Sequence, residues 1–167
     1  MDVRVAIEIC RDGVSLPAYS RRGDAGMDVR AAVDLVLEPG RTAVVPTGLR
    51  FAIPEGYEIQ VRPRSGLSLH TPLRIPNAPG TIDAGYRDEL GILMTNESPC
   101  PDGPGAAEAP LLTLDSKGGL PGRYLIRRGD RIAQIVLAEV PRMVFDVVDR
   151  VAGIGEDRGG GFGSTGR

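Results

Sequence analysis

Apolar residues along this chain come in short runs that alternate with polar ones or are cut off by glycine and proline, and a period of two predicts strands rather than helices. The runs are DVRVAIEI (2–9), AVVPTG (43–48), LRFAIPEG (49–56), YEIQVRP (57–63), ELGILMTN (89–96), YLIRRGDRIAQIVLAEV (124–140) and MVFDVVD (143–149). Tyr57, Ile59 and Val61 alternate with Glu58, Gln60 and Arg62, as a half-buried strand requires. Turn signals at Glu38-Pro39-Gly40, Pro46-Thr47-Gly48 and Pro54-Glu55-Gly56 recur about every eight residues, the spacing of an antiparallel sandwich or barrel. The expected fold class is therefore all-β: a jelly-roll-like sandwich or barrel with short turns, little helix and a flexible, Gly-rich C-terminal arm.

Residues 97–122 (ESPCPDGPGAAEAPLLTLDSKGGLPG) follow neither period. A segment of this length without structure of its own is either functional or mobile in a compact domain, and a mobile surface excursion between two strands is expected. No internal repeat marks a second domain. The expected organisation is one domain over 1–153, this excursion included, and the arm over 154–167.

Composition narrows the function. A chain of 167 residues with 41 % apolar content fills one core. Its 20 basic and 22 acidic residues are interspersed at a net charge of −2, so no field of one sign would attract a nucleic-acid polymer or an anionic membrane. Apolar stretches fall well short of the roughly 18 to 20 residues of a membrane span, and MDVRVAIEICRDG has no signal-peptide core, so a cytoplasmic protein is expected. Cys10 and Cys100 stand far apart and His70 is the one histidine, which removes zinc spacings and disulfide frameworks. His70 could serve Ser65 as a base, but a lone histidine in a polar loop is more often a surface residue.

Three clusters carry candidate chemistry. In RPRSGLS (62–68), a helical turn after the strand would leave the N–H groups of Ser65, Gly66 and Leu67 free beside the Arg64 guanidinium, a cradle for an anion; an ordinary capped turn fits this cluster as well. In GTIDAGYRDE (80–89), a tight hairpin would present Asp83 and Tyr86 to one pocket while Ile82 packs inward. An aspartate ionised at neutral pH can orient and polarise a water, although Asp-x-Gly is also plain turn chemistry. In the terminal RGGGFGSTG (158–166), consecutive glycine N–H groups form a nest for phosphate oxygens, Arg158, Ser164 and Thr165 add donors, and Phe162 can stack on a base. The residues by themselves point to an all-β protein that binds a small nucleotide through its phosphates.

AGMDVRAA (25–32), RPRSGLS, GTIDAGYRDE, RGDRIAQIVL (128–137) and RGGGFGSTG together resemble, in order, the motifs of the homotrimeric dUTP diphosphatases. The resemblance implies hydrolysis of dUTP to dUMP and pyrophosphate with Mg²⁺, in a jelly-roll homotrimer with its sites at subunit interfaces. It implies that Asp83 activates the attacking water and that Tyr86 packs under the deoxyribose. Asn77, with Thr81 and Ile82 of the neighbouring backbone, would read uracil. Arg64, Ser65, Gly66 and Gln134 would contact phosphates, and Asp28 would reach the metal through water. From the arm, Arg158, Gly161, Gly163 and Ser164 would hold phosphates while Phe162 stacks on the base. Asp88, Gly91 and Pro79 depart from the family pattern, and the 97–122 segment is longer than the family link. Two alternatives share the scaffold: a dCTP deaminase relative, which needs another acid/base pair and lacks this tail, and a catalytically idle nucleotide-binding regulator.

Overall fold

The computed structural model describes residues 2–100, 109–156 and 159. In chain order the elements are β1 (Ala6–Ile9), β2 (Met27–Arg30), β3 (Leu35–Leu37), β4 (Thr42–Pro46), β5 (Leu49–Ala52), β6 (Tyr57–Arg62), α1 (Ser65–His70), β7 (Leu73–Arg74), β8 (Gly80–Ile82), β9 (Gly91–Asn96), β10 (Leu111–Thr113), β11 (Arg123–Ile126) and β12 (Arg131–Glu139). They pair as β2-β12-β6-β8, β4-β9-β7, β10-β11-β3 and β1-β5. The fold is all-β and jelly-roll-like, as the alternation predicts, and its one described helix is six residues long.

Each sheet turns one face inward because its strands alternate. Ile59 and Val61 of β6, Ile92 and Met94 of β9 and Ile132 and Ile135 of β12 are buried in one core. Tyr124 of β11 is fully enclosed; its hydroxyl donates to the Leu120 carbonyl at 2.7 Å, and burial pushes its pKa up. Asn96, at the end of β9, is a polar residue inside this core, and its amide donates to the Leu37 and Gly122 carbonyls at 3.0 and 2.7 Å. Loss of that amide would leave two buried acceptors unmatched, a cost on the order of 1 to 3 kcal/mol each.

Four expectations are corrected. YLIRRGDRIAQIVLAEV is two strands, because Arg127–Asp130 forms a turn with Gly129 at φ 91° and its N–H on the Ala31 carbonyl. The described part of the 97–122 excursion is structured. Leu111–Thr113 adds to β11 as a parallel strand, Gly122 N–H donates to Ser98 Oγ at 3.0 Å, and Gly119 N–H donates to the His70 carbonyl at 2.9 Å. Its Pro/Gly content hid a strand of three residues.

MVFDVVD is not a strand. Residues 141–148 have no regular structure, and Val144, Phe145 and Val147 are 90, 80 and 99 % exposed. The pattern is right for a strand, but a strand needs a neighbour to satisfy its backbone, and none of the described residues pairs with it. Finally, β8 and β9 are not a hairpin: β8 pairs with β6 while β9 pairs with β4 and β7, so the turn between them carries the chain from one sheet to another.

Candidate active site

The sheet β2-β12-β6-β8 positions most of the candidate residues. Gln134 lies opposite Arg62 on one side and Asp28 on the other, which sets the first and fourth motifs beside the end of β6. Pro63 then interrupts the ladder, having no N–H to give, and Arg64 remains extended at φ −86° and ψ 130° before α1 begins. Arg64, at the N-cap of α1, makes no side-chain capping bond. The N–H groups of Ser65, Gly66 and Leu67 fall in its first turn, where the helix offers them no partner. A Cβ built on Gly66 would meet nothing within 4 Å, so the approach to this backbone is open.

The charged groups around the turn are held in register. Arg64 Nε donates to Asp28 Oδ1 at 2.8 Å, and Arg131 Nη1 donates to Asp28 Oδ2 at 3.1 Å. Arg64 also donates to the Arg131 carbonyl at 3.3 Å. Asp28 is thus bracketed by two guanidiniums. Gln134 Nε2 donates to the Pro63 carbonyl at 2.9 Å, and its side chain lies where a Cβ on Gly26 would come within 2.6 Å of Oε1, so the glycine makes that position accessible. Beside this group opens a cleft of about 400 Å³ whose lining includes Arg64, Gly66, His70, Lys117 and Arg131. No hydrogen bond joins His70 to Ser65 among the described residues.

The third motif forms a second group. Asp83 to Tyr86 is a turn closed by Tyr86 N–H on the Asp83 carbonyl at 3.1 Å, with Ala84 and Gly85 at its tip. Asp83 and Tyr86 are exposed, and the Tyr86 hydroxyl donates to the Glu89 carbonyl at 2.9 Å. Ile82 packs against the core, as expected. Thr81 pairs with Gln60, and Gly80 pairs with Val61. The Asn77 amide lies so close to Gly80 that a Cβ there would come within 3.2 Å of Nδ2. Gly91, a departure from the family pattern, sits against Val44, whose Cγ1 occupies the space a side chain would need.

The two groups do not meet within one chain. β8 runs antiparallel to β6, so Gly80 lies toward the Arg62 end and Ile82 opposite Ile59. Asp83 therefore emerges near the start of β6, while Arg64 follows its end, about six extended residues or roughly 20 Å away. Asn77 lies nearer the Arg64 group than Asp83 does, the reverse of the order that the expected roles of these residues would need on one nucleotide. Arg158, Gly161, Phe162, Gly163 and Ser164 lie outside the described residues.

Residues 12–101 match the family model described as dUTPase. Over 174 aligned residues the chain is 42 % identical to the deoxyuridine 5'-triphosphate nucleotidohydrolase of Rhizobium leguminosarum bv. trifolii (strain WSM2304), covering 99 % of this chain and 96 % of the relative. The chain belongs to the dUTPase family. Among solved dUTPase structures, that of Staphylococcus bacteriophage 80alpha with dUPNHPP superposes with a TM-score of 0.85 at 30 % identity, covering 98 % of this chain and 99 % of that one. A mutant dUTPase from phage phi11 of S. aureus, described with a structural Mg(II) ion, gives a TM-score of 0.75 at 29 % identity over 89 % of this chain and 98 % of that one. No described helix of this dUTPase family member is long and apolar enough to cross a membrane.

The motifs single out Asp28, Arg64 and Gln134 but not Arg131, whose guanidinium shares Asp28. Its signal was present: Arg131 stands three residues before Gln134 in the fourth motif. Arg11 and Glu89 pair across 78 residues and leave no local pattern.

Proposed function

We propose that the protein is a cytoplasmic dUTP diphosphatase that cleaves dUTP to dUMP and pyrophosphate. The observation that carries this is the Asp83–Tyr86 turn, a carboxylate and an aromatic ring presented together to solvent by a backbone fixed at both ends. The Asp83 carboxylate takes a proton from water as its oxygen bonds to the α-phosphorus. The bond from that phosphorus to the bridging oxygen of the β-phosphate breaks, and pyrophosphate leaves. Tyr86 packs against the deoxyribose, where a ribose 2′-hydroxyl would clash. Asn77 and the backbone of Thr81 and Ile82 read uracil; Pro79 adds no N–H to that edge. Arg64, Ser65, Gly66 and Gln134 hold the phosphates, and Arg158, Ser164 and the arm glycines close over them with Phe162 on the base.

The reversed order of the two groups along β6 supports a site shared between copies of the chain. The turn of one protomer supplies base, sugar and water contacts, and the α1 end of another supplies phosphate contacts. The exposed apolar run from Met143 to Ile154 supports assembly as well, since such a surface is rarely left to water. We take the assembly to be the family homotrimer. Light scattering is expected to give the mass of three chains, and a monomer that turns over dUTP would overturn the shared site.

The residues fit a metal that arrives on the polyphosphate rather than in a protein cage. Among the described residues no three carboxylate, histidine or cysteine side chains converge. Mg²⁺ is commonly held by one or two carboxylates together with substrate phosphates and water, and Asp28 would reach it through water. Bound so, it would spread the charge of the triphosphate and ease departure of pyrophosphate.

The deciding experiment is a nucleotide panel with Mg²⁺, read by pyrophosphate release. dUTP should be consumed while dTTP, dCTP and UTP remain: cytosine would leave polar groups of the uracil pocket unpaired, the thymine 5-methyl would find no room there, and Tyr86 would exclude the ribose 2′-hydroxyl. Ammonia from dCTP would replace this reading with the deaminase one. Binding of dUTP without turnover would replace it with an idle regulator.

A further inference from the structure

Arg11 follows β1, far from the third motif in sequence, yet its guanidinium grips both oxygens of Glu89. Nε donates to Oε1 and Nη2 to Oε2, each at 2.7 Å. Oε1 also accepts Gly48 N–H at 2.7 Å. Gly48 has a φ of 71°, and a Cβ there would come within 2.5 Å of Val14 Cγ2, so the β4–β5 turn can approach Glu89 with that N–H only as glycine. The arginine hydrogen bond, followed by the Gly48 N–H and the charges of Arg11 and Arg50, draws the Glu89 carboxyl below its usual range despite some desolvation. The pair therefore stays ionised at neutral pH.

The backbone of Glu89 has a second task. Its carbonyl accepts the Tyr86 hydroxyl, the one side-chain hydrogen bond that Tyr86 makes among the described residues. Next along the chain, Leu90 is locked to β5 and the β4–β5 turn: its N–H donates to the Leu49 carbonyl at 2.8 Å, and its own carbonyl accepts Thr47 Oγ1 at 2.7 Å. The turn between Asp83 and Asp88 is exposed apart from Ala84, so Glu89 is the point where it is moored to the body. The side chains of Arg11 and Glu89 are 44 and 22 % exposed. Ion pairs this exposed add little to overall stability, so the bidentate fork matters for geometry.

We propose that the Arg11–Glu89 ion pair is a positioning device that, by fixing the Glu89 carbonyl, sets the Tyr86 ring against the sugar and so sets the preference for deoxyribose over ribose. This rests on the reading that Tyr86 faces the sugar. Neither residue touches substrate. With the fork gone, the carbonyl and the hydroxyl it holds gain freedom, the ring can give way to a 2′-hydroxyl, and UTP is admitted.

The test is the ratio of kcat/KM for dUTP to that for UTP in the full-length protein with Mg²⁺. Glu89→Gln is expected to lower the ratio by about tenfold, on the scale by which a small displacement of a positioning group alters rates, chiefly through better use of UTP. Arg11→Lys keeps the charge, the Gly48 contact and every contact of the turn itself; it should lower the ratio in the same direction by less, and it serves if Glu89→Gln does not fold. In a Tyr86→Phe background, which lacks the hydroxyl, Glu89→Gln should move the ratio no further, since the two changes act through one bond. A structural role alone would lower the melting temperature and the active fraction equally for both nucleotides. An unchanged ratio in folded variants, with wild type cleaving dUTP, overturns this inference and spares the function; a wild type that leaves dUTP intact overturns both.

Discussion

Asp83→Asn is expected to lower turnover of dUTP by about 10² to 10⁴, the range for a positioned general base, while leaving nucleotide affinity within a few-fold of wild type. The substitution exchanges one carboxylate oxygen for an amide and keeps the volume. The turn that carries it depends on the Asp83 main-chain carbonyl, which accepts Tyr86 N–H and is untouched. Asparagine is also a favoured turn residue, so the fold has no reason to move. The Asp83 side chain makes no ion pair or hydrogen bond among the described residues, so no neighbouring charge is left unpaired by its loss. On the proposed mechanism, what disappears is the acceptor for the water proton. Calorimetry with dUpNHpp would read the affinity and pyrophosphate release the turnover. A variant that turns over dUTP at the wild-type rate would remove Asp83 from the mechanism, and one that fails to bind would make it a substrate ligand instead.

The alternation of Tyr57, Ile59 and Val61 foretold β6 and the inward face of its sheet because burial on one side of a strand leaves a period of two in the chain. Leu111–Thr113 escaped notice because three residues among prolines and glycines are too few to show a period, and what makes them a strand is β11 beside them. MVFDVVD erred the other way: its pattern is that of a strand, but pattern specifies a face and not a partner. The site divides along the same line. Asp28, Arg64, Asp83, Tyr86 and Gln134 are the candidates that the chain itself displays, each within a compact motif. Arg131 on Asp28 and Arg11 on Glu89 are not displayed in it, since those contacts exist only once β2 meets β12 and the start of the chain meets the end of the third motif. The reversed order of Asn77 and Asp83 relative to Arg64 is a matter of antiparallel register, which motif order along a chain does not contain.

Removal of residues 157–167 should abolish most dUTP hydrolysis, about 100-fold or more, and leave the assembly and its melting temperature unchanged. Among the described residues the core is built from elements between β2 and β12, with its last fully buried member, Ile135, on β12. Stability should accordingly be indifferent to the deletion. Activity should not be. Asp28 already occupies one face of both Arg64 and Arg131, so the described groups offer the polyphosphate only a partial set of donors. The glycine run between Arg158 and Phe162 can add consecutive backbone N–H groups, which suit phosphate oxygens, and Arg158 adds a guanidinium. Covering the site would also exclude water other than the proposed nucleophile and would hold the triphosphate in line for attack. The contribution of the aromatic ring can be separated from that of the donors. Stacking of a base on an aromatic side chain is worth about 1 to 3 kcal/mol, so Phe162→Ala in the full chain should raise KM by roughly 5- to 150-fold, less than the whole deletion costs in kcat/KM. If the truncated protein cleaved dUTP as fast as the intact one, the motif would have no part in the reaction, and the phosphates would have to be held by the α1 end alone.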